Sequence, residues 1–144
     1  MSEPTFSLRV ADWPDDREPL QTIRDQVFVN EQQVPRELEW DGLDADALHL
    51  LAVDAEKTPI GCVRLLPSGQ IGRMAVIKSW RNKGLGKALL ERLLDEAAHG
   101  AYPPLFLKAQ LTALPFYAKH GFSAEGDVFM DAGIPHRLMR RDKV

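Results

Sequence analysis

Arg81-Asn82-Lys83-Gly84-Leu85-Gly86-Lys87 lies between an apolar, strand-like run and an amphipathic helix. A glycine-rich turn that opens a helix presents unpaired backbone N–H groups together with the positive end of the helix dipole. Such a turn binds anions and suits a pyrophosphate especially well. Arg81, Lys83 and Lys87 add three cations around it, so the first expectation is a phosphate-bearing ligand. Spacing narrows the choice. A Walker loop requires Gly-x4-Gly-Lys-Ser/Thr, but Arg81 stands where the first glycine belongs and Ala88 where the hydroxyl belongs. A dinucleotide fingerprint requires a third glycine three residues after Gly86, and Leu89 stands there. Both nucleotide loops are excluded.

Upstream of the turn, residues 70–76 read as a strand entered through Pro67-Ser68-Gly69. Downstream, Leu90, Leu93, Leu94 and Ala97 line one face of a helix that Leu85 and Leu89 widen. Lys87, Glu91, Arg92, Asp95 and Glu96 stay on its wet side, and Gly100 stops it. Pro103-Pro104 leads into a strand at 105–109. Thr112 is expected to cap the next helix, with Pro115 in its first turn and Gly121 at its left-handed end. Residues 122–130 and 136–141 read as the last strands. Near the N-terminus, residues 6–10 alternate as a first strand. Asp15-x-x-Glu18 followed by Pro19 predicts a helix start, and the helix should end near Asn30. Between residues 31 and 46, Glu31, Glu37, Glu39, Asp41, Asp44 and Asp46 stand against one base, Arg36, which predicts an acidic loop with one short helical turn. Strands at 47–53 and 60–66 complete the order, an α/β fold built on a mixed sheet.

The 144 residues make one domain, 1–144, large enough for a real core. A hydrophobic content of 44% with 27% charged residues fits a globular protein. No apolar run reaches the ~20 residues of a membrane span, and no membrane partner is expected. Net charge −3 argues against nucleic-acid binding. Met1-Ser2-Glu3-Pro4 carries neither region of a secretory signal, so a cytoplasmic location is expected. The single cysteine, Cys62, excludes an internal disulfide and a cysteine-rich zinc site, and no metal is expected. Within its apolar strand it reads as a buried structural thiol rather than a nucleophile.

What survives at the turn, Arg-x-x-Gly-x-Gly after a strand, resembles the acetyl-CoA-binding turn of the GNAT N-acetyltransferases. Ile71-Gly72-Arg73-Met74-Ala75-Val76 is similar to the strand that enters that turn, and Phe116-Tyr117-x-x-x-Gly121-Phe122 to the family's tyrosine-bearing helix. Val27-Phe28-Val29-x-Glu31-Gln32 and Gly133-Ile134-Pro135-His136 resemble a bacterial ElaA/YjcF-like branch. The resemblance implies a mixed, mostly antiparallel central sheet flanked by helices. It also implies acetyl transfer from acetyl-CoA to a primary amine of a small molecule or peptide, by direct attack in a ternary complex. Cys62 would then carry no acyl intermediate.

Such a reaction needs the pyrophosphate held, the thioester carbonyl polarised, the amine deprotonated and the departing thiolate protonated. Arg81, Asn82, Lys83, Gly84, Leu85, Gly86 and Lys87 form the phosphate turn, with Arg81 the cation best suited to the phosphates. The resemblance implies that the backbone of Met74, Ala75 and Val76 meets the carbonyl where two strands splay apart, and that Gln110 bonds the pantetheine arm. Tyr117 is the candidate acid, a phenol that stays protonated at neutral pH. The base is open among Glu31, Glu39, Asp41, His49 and His136, with Glu31 and Glu39 first because apolar neighbours could desolvate them. His49 and His136 read equally as structural histidines in strands. The acidic stretch is either a solvated face or the wall of a pocket that attracts a cationic amine. A non-catalytic acyl-CoA-binding sensor and an autoinducer-synthase-like acyltransferase compete with the enzyme reading, and the sequence leaves a homodimer open.

Overall fold

Among the described residues the chain makes seven strands: β1 (Phe6–Ala11), β2 (Leu48–Asp54), β3 (Pro59–Leu65), β4 (Gln70–Val76), β5 (Phe106–Gln110), β6 (Phe122–Asp131) and β7 (Ile134–Arg141). The computed structural model describes residues 5–141, so residues 1–4, on which the signal-peptide reading rests, lie outside the described residues. The strands form one sheet in the order β1-β2-β3-β4-β5-β7-β6. Every neighbouring pair is antiparallel except β4 and β5.

Neighbouring residues on one strand face opposite sides, and both sides of the sheet centre are covered. Leu50, Val63 and Leu107 turn toward α3 (Leu85–Ala98), whose Leu85, Leu89, Leu90 and Leu93 are fully buried against them. Leu51, Cys62 and Ala75 turn the other way, onto Leu20, Ile23 and Val27. Those last residues come from α1 (Trp13–Arg24) and the π-helical turn that follows it, residues Asp25–Glu31. The short helices α2 (Arg36–Glu39) and α4 (Leu114–Ala118) sit at the two ends of the cleft described below.

Two irregularities in β4 position the site. Cys62 pairs with Ala75 but Arg64 pairs with Gly72, so Arg73 and Met74 together oppose one residue of β3. This β-bulge bends the strand, and Arg73 takes the left-handed conformation at φ +50. On its other edge β4 pairs with β5 only at Gln70↔Phe106 and Ile71↔Leu107. Beyond those rungs the two strands diverge.

The helices depart from expectation at their ends. α1 begins at Trp13 rather than after Asp15, because the Asp16 carboxylate accepts the Asp12 N–H at 2.9 Å and fixes the start one turn earlier. Pro19 therefore lies inside the helix, where its missing N–H falls opposite the solvent-exposed Asp15. The helix does run on to Glu31, but in π winding from Asp25, a geometry concentrated at functional sites. Thr112 does not cap α4. It lies within a 3-10 turn, Leu111–Ala113, while Gly121 takes φ +90 as expected.

Candidate active site

A cleft of about 1080 Å³ passes through the sheet where β4 and β5 separate. Leu107 and Ala109 belong to the core under α3, so Lys108 and Gln110 project from the opposite face. His136 lies opposite Gln110, and Leu138 opposite Lys108, in the β5–β7 register. The cleft thus has two halves. One is walled by the turn before α3, Phe116 and Tyr117; the other by the π-helical turn, α2, Lys108, Gln110 and His136.

The glycine turn has the form the sequence anticipates. Gly84 is the N-cap of α3 at φ +82, no side chain caps the helix, and the first intrahelical bond runs from Ala88 N–H to Gly84 O. The N–H groups of residues 85–87 are therefore without helical partners, an anion site at the end of a 14-residue helix. A Cβ at Gly84 would meet nothing within 4 Å, and one at Gly86 only the Phe116 ring at 3.7 Å. The backbone is open to a ligand. Gly84→Val or Gly86→Val should weaken acetyl-CoA binding about tenfold or more by blocking this approach. Unchanged affinity by calorimetry in folded variants would overturn that reading.

The cations sort differently from expectation. Lys87 is exposed beside the turn, and Lys83 sits over the Trp80 ring with its Nζ 5.4 Å from the centroid. Arg81 is engaged by other partners. Its Nε donates to Val76 O at 3.0 Å, and its two Nη groups donate to both oxygens of Glu31 at 2.5 and 2.7 Å. A guanidinium so engaged has only its outer N–H bonds left for a phosphate.

Tyr117 lies on the phosphate-turn side of the gap, its ring edge-on to Phe116 and Phe122. Its hydroxyl donates to Met74 Sδ at 3.8 Å, beside the β4 bulge. Burial pushes the phenol up to about 12, so it holds its proton throughout the physiological range.

On the opposite side, four of the six acidic residues, Glu31, Glu39, Asp41 and Asp44, are taken up by arginines, while Glu37 and Asp46 stay exposed. Glu39 and Asp44 both hold the buried Arg24, Asp44 also bonds Arg64 at 3.1 Å, and Asp41 bonds Arg64 at 2.9 Å and Arg73 at 3.1 Å. Arg73 further donates to Glu39 O at 2.8 Å, which ties the β4 bulge to α2. Burial raises the Asp41 carboxyl, yet the hydrogen bonds from Arg64 and the Leu43 N–H outweigh it and hold the group down to about 2. Arg24, Arg64 and Arg73 were missed as site residues. The signal was present for Arg64, a charge flanked by Val63 and Leu65 in a strand where all three are buried.

The two first-choice bases are occupied. Glu31 belongs to Arg81, whose hydrogen bond lowers its proton affinity, and Glu39 is 2% exposed behind Arg24 and Arg73. His49 lies outside the cleft, bonded to Asp44 O at 2.9 Å and stacked on Trp13. His136 is different. It lines the cleft, 8% exposed, with its ring stacked on Phe129 and Nδ1 2.7 Å from Ile134 O. A carbonyl only accepts, so Nδ1 carries hydrogen, and the neutral ring holds its lone pair on Nε2. Gln110 reaches across the gap to Gln32 Oε1 at 3.2 Å, so its side chain is engaged on the face opposite the phosphate turn.

A profile of the acetyltransferase (GNAT) domain matches residues 14–143. The chain belongs to the GNAT acetyltransferase family. It is 40% identical over 124 residues to the uncharacterized N-acetyltransferase YjcF of Bacillus subtilis (strain 168), which spans 83% of this chain and 88% of that protein. ElaA of Escherichia coli (strain K12) is 31% identical over 134 residues, 87% of this chain and 86% of that protein. An acyl-CoA N-acyltransferase from Pseudomonas aeruginosa shares the structure with a TM-score of 0.86 at 32% identity, covering 96% of this chain and all of that one. The diverging strands and glycine turn are accordingly parts of a GNAT fold, and the chain is an acyl-CoA-dependent N-acyltransferase.

Proposed function

We propose that this enzyme moves the acetyl group of acetyl-CoA to a primary amine of a small molecule or peptide by direct attack. One observation carries the reading: an uncapped helix N-terminus, a gap through the sheet, Tyr117 and His136 all open on one cleft. The N–H groups of residues 85–87, with Asn82, Lys83, Gly84 and Lys87, would hold the pyrophosphate. The open backbone edge of Met74, Ala75 and Val76, with that of Gln110, would hold the pantetheine arm. Acetyl-CoA supplies a thioester carbon open to attack and a thiolate as leaving group.

An amine reaches the site largely as its ammonium ion and must lose a proton before its lone pair can attack. His136 Nε2 takes that proton, while the Nδ1–H bond to Ile134 O holds the ring and stabilises the imidazolium that forms. The acceptor wall presents Glu39, Asp41 and Asp131 against Arg64, Arg73 and Lys108, three charges of each sign. A second positive charge on the acceptor is therefore not attracted by this wall, contrary to the sequence expectation of a cationic preference.

Tyr117 acts on the sulfur. A phenol at about 12 gives up its proton to a thiolate near ~8.5 only uphill. Its contribution is a hydrogen bond to the charge developing on sulfur rather than complete transfer. Tyr117→Phe should lower turnover by about 10- to 100-fold with acetyl-CoA affinity and melting temperature almost unchanged. Wild-type turnover in the variant at saturating substrates would return Tyr117 to a packing role. The function itself is tested by free-thiol release from acetyl-CoA over an amine panel, with the acetylated product identified by mass. Tight acetyl-CoA binding with no product from any amine would replace the enzyme by an acyl-CoA-binding sensor.

A further inference from the structure

Glu31 is the last residue of the π-helical turn and Gln32 follows it. The two side chains go to opposite rims of the gap between β4 and β5. Glu31 takes Arg81, and the same guanidinium donates to Val76 O at 3.0 Å, at the last residue of β4. Gln32 takes the amide of Gln110 at 3.2 Å, at the last residue of β5. Directly afterwards Gln33, at φ +60, turns the chain away, and Val34 N–H closes on Phe28 O at 2.8 Å. Consecutive residues of one turn are thus tied to the ends of both strands whose divergence makes the cleft.

We propose that Glu31 and Gln32 form a strap across the open mouth of the β4–β5 gap, and that Arg81 is a positioning residue for the acceptor side rather than a ligand of the phosphates. The inference rests on the acyl-CoA reading of the cleft. The first residue of the Arg-x-x-Gly-x-Gly motif then fixes the strap, while the phosphates are left to the N–H groups of residues 85–87 and to Lys83 and Lys87. The two ties set the distance between the strand ends, and so the width of the opening through which the amine meets the thioester.

Arg81→Gln, Glu31→Gln and the charge-reversed pair Glu31→Arg/Arg81→Glu separate the possibilities. Both single variants should leave coenzyme A affinity within about threefold of wild type by calorimetry. Each should raise KM for the best amine of the panel by up to about fivefold, the range an exposed ion pair supports, with KM for acetyl-CoA and kcat nearly unchanged. Hydrogen exchange of residues 25–34 should quicken in both single variants and slow again in the reversed pair. A phosphate ligand behaves otherwise: Arg81→Gln alone would weaken coenzyme A about tenfold or more, and Glu31→Gln would leave it unchanged or tighter. That outcome overturns the proposal, as does exchange in residues 25–34 that neither single variant alters. Failure of the wild-type protein to bind coenzyme A would instead overturn the functional reading, and the exchange measurement would still decide whether the strap exists.

Discussion

Replacing His136 with Asn is expected to lower turnover by about 10² to 10⁴, the usual worth of a positioned general base, while acetyl-CoA affinity changes little. Asn retains a polar side chain at the β7 position opposite Gln110 but cannot take a proton at neutral pH. Proton removal and packing are separated by a second variant, His136→Gly, which leaves a gap beside Phe129 that opens on the cleft. Added imidazole should restore part of its activity, in proportion to the neutral form of the imidazole. Rescue that follows the imidazolium, or a His136→Asn enzyme with wild-type turnover at saturating amine, would remove His136 from the chemistry. The base would then be sought among water molecules rather than in Glu31 or Glu39. Glu31 is held by Arg81, and Glu39 is closed behind Arg24 and Arg73.

The parts of the site that were legible in the sequence are those fixed by local rules. Gly84 announces the turn because a left-handed N-cap favours a residue without Cβ. The leucines of α3 announce its buried face because helical spacing repeats within a few residues. The charge pairs are another matter. Arg24 finds Glu39 across 15 residues, Arg64 finds Asp41 across 23, and Arg81 finds Glu31 across 50. No local rule selects among such partners, so an acidic loop and a free phosphate-binding arginine were the natural readings of an unfolded chain. The π winding was hidden for a related reason: Leu20, Ile23 and Val27 repeat at a spacing that an ordinary helix satisfies equally well. His136 was visible only as one of five candidates, because its neutral neighbours and free Nε2 depend on the β5–β7–β6 register.

Arg24→Met should destabilise the fold by about 3–5 kcal/mol, a loss of roughly 10–20 °C in melting temperature. Arg24 is 1% exposed, lies over the Trp13 ring and is the shared partner of Glu39 and Asp44, themselves 2% and 7% exposed. Met fills much of the volume but leaves two buried carboxylates short of their cation, and that desolvation cost is what the variant exposes. Replacing Glu39 and Asp44 by apolar residues in the same background should recover part of the loss. The Asp44 carboxyl gives the two proteins different pH dependences. In the wild type, burial raises the Asp44 carboxyl but the bonds from Arg24 and Arg64 outweigh it, so its folded pKa lies below its unfolded value. Its contribution is full above the unfolded pKa and is lost as pH falls below it; Asp41, at about 2, behaves alike. Without Arg24 the Asp44 carboxylate is desolvated with less compensation and takes up a proton more readily, so acid costs the variant less than it costs the wild type. The gap between the two melting temperatures should narrow as pH is lowered from 7 toward 4. Because α2 and the acceptor wall hang on this network whereas the glycine turn does not, acetyl-CoA affinity measured well below the melting point should be retained. A variant that melts within two or three degrees of wild type, or a gap that ignores pH, would show that the network is packed rather than held by charge.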